Sequence, residues 1–139
     1  MKLIKAETTH VDELVRISKD AFDSDVTVGA TKAGGPPNYD SKEWHLEMVK
    51  EQHLYTAIED EKIVGGAIIF EEPNKREVTY IGRIFVDPAC FRKGYGTQLM
   101  ILLEKLNPKT RFVKLDTPIW NTRTNAFYKK LGYIEVNRD

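Results

Sequence analysis

The chain has 139 residues, with 21 basic and 21 acidic side chains and a formal net charge of zero. That length suits one domain spanning residues 1–139, able to bury roughly two-thirds of its unfolded surface, and leaves no room for a second. The balanced charge argues against nucleic acid or an anionic membrane as a partner, a single cysteine excludes an intrachain disulfide, and no apolar run approaches the ~20 residues that span a bilayer.

The opening MKLIKAETTH lacks the apolar stretch of a signal peptide, so a cytoplasmic protein is expected. Leu3 to Ala6 reads as a short strand. Thr9 is placed to cap a helix in which Val11, Leu14, Val15, Ser18 and Phe22 share a face, and Asp23-Ser24-Asp25 ends it. Thr27 to Tyr39 contains three glycines and two prolines and reads as an irregular loop. Asp40 followed by Glu43 predicts a capping box for a short helix carrying Trp44 and Met48. Tyr55–Glu59 and Lys62–Phe70 then form a hairpin around Asp60-Glu61, with Gly65-Gly66 marking a bulge or a close approach. A second hairpin, turning near Glu71-Glu72-Pro73-Asn74-Lys75, leads into the buried strand Val78–Val86, which Asp87-Pro88 stops.

Phe91 to Met100 (FRKGYGTQLM) is a basic, glycine-punctuated turn. It precedes a helix whose Leu99, Leu102, Leu103 and Leu106 form one apolar stripe ending at Asn107-Pro108. The glycines therefore sit at a helix N-terminus, where unpaired N–H groups and the positive end of the macrodipole attract a phosphate or pyrophosphate. Arg92 and Lys93 add positive charge, and glycine lets the backbone approach the ligand. A dinucleotide fingerprint needs a glycine or alanine where Leu99 stands, and a P-loop needs Gly-Lys-Ser/Thr, so neither applies. Phe112 to Asp116 predicts another strand, Thr124 to Leu131 a helix capped by Gly132, and Tyr133 the start of a final strand. The expected fold class is α/β in the α+β sense, a mixed, mostly antiparallel central sheet with helices on both faces.

The order strand, Val86-Asp87-Pro88, basic turn, Gly94-Tyr95-Gly96-Thr97, helix, strand, Asn121 and Phe127-Tyr128-Lys129-Lys130-Leu131-Gly132-Tyr133 resembles the GNAT superfamily of acetyl-coenzyme-A-dependent N-acetyltransferases. One family signature is Arg/Gln-x-x-Gly-x-Gly/Ala. The other is an Asn separated by six residues from the Tyr of a Tyr-x-Lys-x-Gly-Phe/Tyr ending, matched here by Asn121, Tyr128, Lys130, Gly132 and Tyr133. The Arg/Gln position is Phe91, with Arg92 one residue later.

This resemblance implies acetyl-CoA as cosubstrate, no metal, and a primary amine of a small molecule or peptide as acceptor. It implies cofactor contacts from the strand positions Ile84, Phe85 and Val86, from Arg92, Lys93, Gly94, Tyr95, Gly96 and Thr97 of the turn, and from Asn121 and Tyr128. Tyr128 is the catalytic candidate that returns a proton to the departing thiolate, and packing beside Leu131 is its plain alternative. An amine with pKa near ~10.4 is only about one part in a thousand neutral at pH 7 and needs a base. Glu71 and Glu72 are the first candidates, with Asp116 and His53 behind them and Tyr80 or Arg83 shaping the approach. Asn121 suits the pantetheine arm or a helix cap, and Trp44, Tyr39 and the Gly34-Gly35-Pro36-Pro37 loop suit an acceptor lid or a plain connection. Cys90 lies by the phosphate turn and reads as inert, and His10, His45 and His53 lack metal-ligand spacing. The chain stops six residues after Tyr133, so a second copy is expected to cover the exposed sheet edge. The alternatives are a catalytically degenerate coenzyme-A sensor, a transferase of longer acyl groups accommodated near Gly65-Gly66-Ala67, and a phosphate-binding interaction module.

Overall fold

The computed structural model describes residues 1–24, 34–72, 75–116 and 122–134. Strands β1 (Lys2–Lys5), β2 (Leu54–Glu59), β3 (Lys62–Glu72), β4 (Lys75–Val86) and β5 (Phe112–Leu115) form one sheet in that spatial order. β1 to β4 pair antiparallel and β5 runs parallel to β4, so the sheet is mixed and mostly antiparallel, as the sequence predicts.

Both faces are covered, which is why β3 and β4 read as nearly continuous apolar runs. On one face, Leu14 and Ile17 of helix α1 (Val11–Asp23) and Met48 of α2 (Lys42–Lys50) pack on Leu54, Ile68 and Phe85. On the other, Leu99, Met100 and Leu103 of α3 (Tyr95–Glu104) and Tyr128 of α4 (Thr122–Lys130) pack on Ala67, Ile69 and Ile81. Leu14, Ile17, Leu54, Ile68, Leu99 and Met100 have no exposed surface. Each contributes about 1.5–3 kcal/mol of burial.

The β2–β3 hairpin turns through Asp60 and Glu61, both with positive φ (50° and 64°), the turn whose twist matches paired strands. Gly65 marks a close approach: a Cβ there would lie 2.4 Å from the Phe85 carbonyl oxygen. The register slips beside it, between Ala57 and Ile58, so a bulge and a close approach coincide.

Several boundaries differ from the sequence reading. Thr9 does not cap α1, whose N-cap is His10 without a side-chain bond; Glu7 and His10 instead box the short 3-10 turn Thr8–His10 before it, each side chain bonding the other's backbone. The Ser41 hydroxyl, not Asp40, caps α2 by accepting from the Trp44 N–H at 3.1 Å. α3 stops at Glu104, leaving Leu106 38% exposed. α4 starts at Thr122, two residues before the expected Thr124. Tyr133 and Ile134 are not in a strand, and the remainder of the expected final strand lies outside the described residues, as do the first part of the Thr27–Tyr39 loop, Pro73-Asn74, Trp120 and Asn121.

Candidate active site

β5 pairs with β4 only from Val78 to Ile81, while β4 continues to Val86. β5 ends at Leu115, opposite Ile81, and beyond it that edge of β4 carries no strand partner among the described residues, a gap called the fork. Strand alternation decides which groups face the gap. Asp87 donates its N–H to the Val64 carbonyl at 2.8 Å, toward β3, so Phe85 also directs its backbone groups to β3 and Ile84 and Val86 direct theirs into the fork. The Phe85 ring is buried against the α1 layer, whereas the Ile84 and Val86 side chains pack on the α3–α4 layer.

The turn after β4 is held from both sides. The Asp87 carboxylate accepts from the Ala89 N–H at 3.1 Å, capping a short 3-10 turn at Pro88–Cys90, and pairs with Arg16 of α1 at 2.8 Å. Arg92 (φ 71°) and Gly94 (φ 76°) then take left-handed conformations that bend the chain into α3. Gly94 is the N-cap and supplies no side-chain cap; the first helical bond into its carbonyl comes from Gln98 at 3.1 Å. The N–H groups of Tyr95, Gly96 and Thr97 thus have no intrahelical acceptor, at the positive end of the helix and beside the exposed Arg92 and Lys93. That is an anion cradle adjoining the fork, and it suits a pyrophosphate. Gly96 has a packing reason as well, since a Cβ there would come 3.3 Å from the Phe127 ring.

Tyr128 is 7% exposed, within the core formed by Leu99, Met100 and Leu103. Its ring meets Phe127 and Tyr133 edge-on, at centroid distances of 5.1 and 5.7 Å. Burial pushes its phenol well above the ordinary tyrosine value, so it stays protonated. Gly132 (φ 95°) ends α4, as predicted, and Tyr133 returns to donate its hydroxyl to Glu104 of α3 at 3.0 Å.

The Glu71 and Glu72 backbones pair with Thr79 and Lys75 near the hairpin end, and their side chains lie outside the description. Thr79 is five residues before Ile84, about 16 Å along an extended strand. Asp116 instead follows directly after β5, where the fork opens, and accepts a short hydrogen bond from the Tyr80 hydroxyl. That bond, with burial, pushes Tyr80 up to about 12. Tyr80 and Asp116 alternate with the inward-facing Ile81 and Leu115, so both lie on the sheet face opposite α3. The parallel β4–β5 register is what brings Asp116 next to Tyr80, a placement not readable within either strand alone.

Two glycines considered as room for a longer acyl chain are already occupied. Gly65 faces the Phe85 carbonyl, and a Cβ on Gly66 would meet the Phe85 ring at 2.8 Å and Leu14 at 3.0 Å. His53 bonds the Ile69 carbonyl at 3.1 Å, and His10 contacts Thr56 at 3.1 Å. Cys90 is half-buried against the α3–α4 core. Among the described residues no group of three His, Cys, Asp or Glu side chains could hold a metal, and no helix is long and apolar enough to cross a membrane.

An open stretch of the β4 edge thus lies beside an uncapped, basic helix N-terminus in a mixed sheet. The sequence pattern of the acetyltransferase (GNAT) family matches residues 12–133, and the chain belongs to that family, making it an acyltransferase. Its fold is similar to the PaiA N-acetyltransferase of Thermoplasma acidophilum solved with coenzyme A, with TM-score 0.81, 16% identity, and coverage of 99% of this chain and 92% of that one. It is similar to a single-site mutant of the BH1408 protein from Bacillus halodurans, with TM-score 0.80, 18% identity and coverage of 100% of this chain and 96% of that one. The aminoglycoside N-acetyltransferase AAC(6')-Iy, also solved with coenzyme A, gives TM-score 0.73 at 20% identity, covering 99% of this chain and 90% of that one. Among curated protein sequences none matches this chain.

Proposed function

We propose that residues 1–139 form one N-acetyltransferase domain that moves an acetyl group from acetyl-CoA to a primary amine of a small molecule or peptide, with both substrates bound together. The observation that carries this reading is the adjacency of the uncapped α3 N-terminus to the main chain of Ile84 and Val86, which has no strand partner on that side among the described residues.

In this reading the N–H groups of Tyr95, Gly96 and Thr97, with Arg92 and Lys93, hold the pyrophosphate. Acetyl-CoA supplies the activated thioester. The Ile84 N–H donates to the thioester oxygen, where negative charge develops, a contribution of roughly 3 kcal/mol by oxyanion-hole precedent. Asp116 takes the proton of the attacking amine, replacing Glu71 and Glu72 as the proposed base because it stands at the fork. As the new C–N bond forms and the C–S bond breaks, Tyr128 gives its proton to the departing thiolate. The phenol holds its proton at neutral pH, but burial makes it a weaker acid, so the transfer relies on the thiolate being equally poorly solvated in the site. Asn121 is assigned to the pantetheine arm by the sequence resemblance alone.

The proposed setting is the cytoplasm, in keeping with a single cysteine in the chain. A homodimer across the edge strand β5 is proposed from Phe112, which is 59% exposed there. The test of function is thiol release from acetyl-CoA with a panel of amines. Amine-dependent release supports the transferase, whereas binding without release favours a coenzyme-A sensor.

A further inference from the structure

Arg83 stands apart from the other described cations. Arg16 pairs with Glu13, Asp20 and Asp87, Lys19 with Asp23, and Lys42 with Asp12. Arg92 and Arg111 are exposed to water. Arg83 is half-buried, and no carboxylate pairs with it among the described side chains. Its Nη1 is sealed from solvent with no hydrogen-bond acceptor, while Nη2 donates to the Pro37 carbonyl. The guanidinium carbon lies 4.2 Å from the centre of the Trp44 ring, a cation–π geometry. Leaving a charge half-desolvated without a counter-ion is costly, and such residues concentrate at binding sites.

The surroundings hold this arginine in place. The Ser18 hydroxyl donates to the Tyr39 carbonyl at 2.8 Å and the Tyr39 hydroxyl to Asp23 at 2.7 Å, fastening the segment that carries Pro37 onto α1. Beside it, His45 has no exposed surface, bonds the Ser41 carbonyl through Nδ1 at 2.6 Å, and has an Nε2 without a partner. Burial holds this imidazole neutral, so it adds no competing positive charge.

Location supplies the rest. Arg83 immediately precedes Ile84 and shares the α1–α2 face with Phe85, the face on which Tyr80 and Asp116 also lie. The cradle at α3 belongs to the opposite layer. A pyrophosphate-bearing substrate entering from α3 leaves this face for the amine.

We propose that Arg83, positioned by Trp44 and Pro37, binds a carboxylate carried by the amine acceptor, which makes the acceptor a small amino acid and not a polyamine or a neutral amine. With Nη1 enclosed and Nη2 on the Pro37 carbonyl, the acceptor's carboxylate reaches the guanidinium by displacing one of these contacts and gains a charge-assisted bond in exchange. This inference rests on the acetyl-transfer reading above.

The test compares three acceptors of equal length with acetyl-CoA and the full chain: an amino acid, its carboxamide, and the alkylamine lacking the carboxyl group. The expected result is a kcat/KM at least tenfold higher for the amino acid than for its carboxamide, expressed mainly in KM. Arg83→Gln should bring that ratio close to one, and Arg83→Lys should restore part of it. Equal kcat/KM for amino acid and carboxamide overturns the proposal. So does an Arg83→Gln variant that keeps the preference, or one that loses activity on all three alike together with its melting temperature, which marks a purely structural arginine. Should no amine release thiol, the acetyl-transfer reading fails separately. Calorimetric titration of the coenzyme-A complex with the amino acid then still reads the site, and binding that is absent or unchanged in Arg83→Gln overturns the carboxylate assignment.

Discussion

Replacing Gly65 with alanine tests the coupling between sheet packing and the fork. The added Cβ would lie 2.4 Å from the Phe85 carbonyl oxygen and 3.2 Å from the Val86 Cα. Both are backbone atoms, so no side chain can swing aside; β3 and β4 must part just behind Ile84 and Val86. Overpacking of this kind costs about 1–3 kcal/mol. For a chain near this size that lowers the melting temperature by roughly 3–10 °C. Because the displaced segment carries the main-chain groups facing the fork, acetyl-CoA affinity should weaken as well. Differential scanning calorimetry and a binding titration on one preparation read both effects. A Gly65→Ala protein with unchanged melting temperature and unchanged affinity would refute the argument that this glycine sets the strand separation.

Tyr128→Phe should leave coenzyme A affinity near normal and lower kcat by about 10²-fold or more, the usual scale for losing a general acid, checked by steady-state kinetics across pH. Asp116→Asn should lower kcat at saturating substrate and also bring Tyr80 down from about 12 toward the ordinary tyrosine value, because the anion that favours the neutral phenol is gone. Ultraviolet titration of the phenols reads this, and an unmoved titration contradicts the pairing. His45 is held below its ordinary value by burial, so as pH falls past ~6.5 the unfolded chain takes up the proton first, and stability declines with falling pH. Asp23, lowered by its Lys19 and Tyr39 bonds, and Asp87, where burial is outweighed by the Arg16 and Ala89 bonds, act in the same direction only below about pH 4. A melting temperature that is flat or rising from pH 6.5 down to 5 contradicts the His45 account.

Much of the fold was legible because local chemistry dictates it. Runs rich in apolar, β-branched and aromatic residues marked the central strands β3 and β4, Asp60-Glu61 supplied a two-residue turn, and Gly132 the left-handed end of α4. The cradle was equally local, since a glycine N-cap followed by an apolar stripe determines which N–H groups stay unpaired. What sequence could not supply depends on non-local register. The proposal of Asp116 over Glu71 rests on β5 pairing with Val78–Ile81 and no further, and nothing within either strand encodes that limit. The burial of Arg83 arises because Pro37, 46 residues earlier, is folded over it by contacts to α1. Caps shifted by a residue for a smaller reason: Ser41 and Asp40 both suit an N-cap, and helix phase against Leu54 and Ile68 selects between them.

Calorimetric titration of acetyl-CoA into the native protein and into Thr97→Glu tests the cradle most directly. A glutamate at the third helical position complements the macrodipole and should not lower the melting temperature, yet it places negative charge beside the N–H groups of Tyr95 and Gly96. The account predicts micromolar binding by the native protein and at least a tenfold loss in Thr97→Glu with stability retained. Equal affinity in the two proteins, or no binding by the native one, would contradict it.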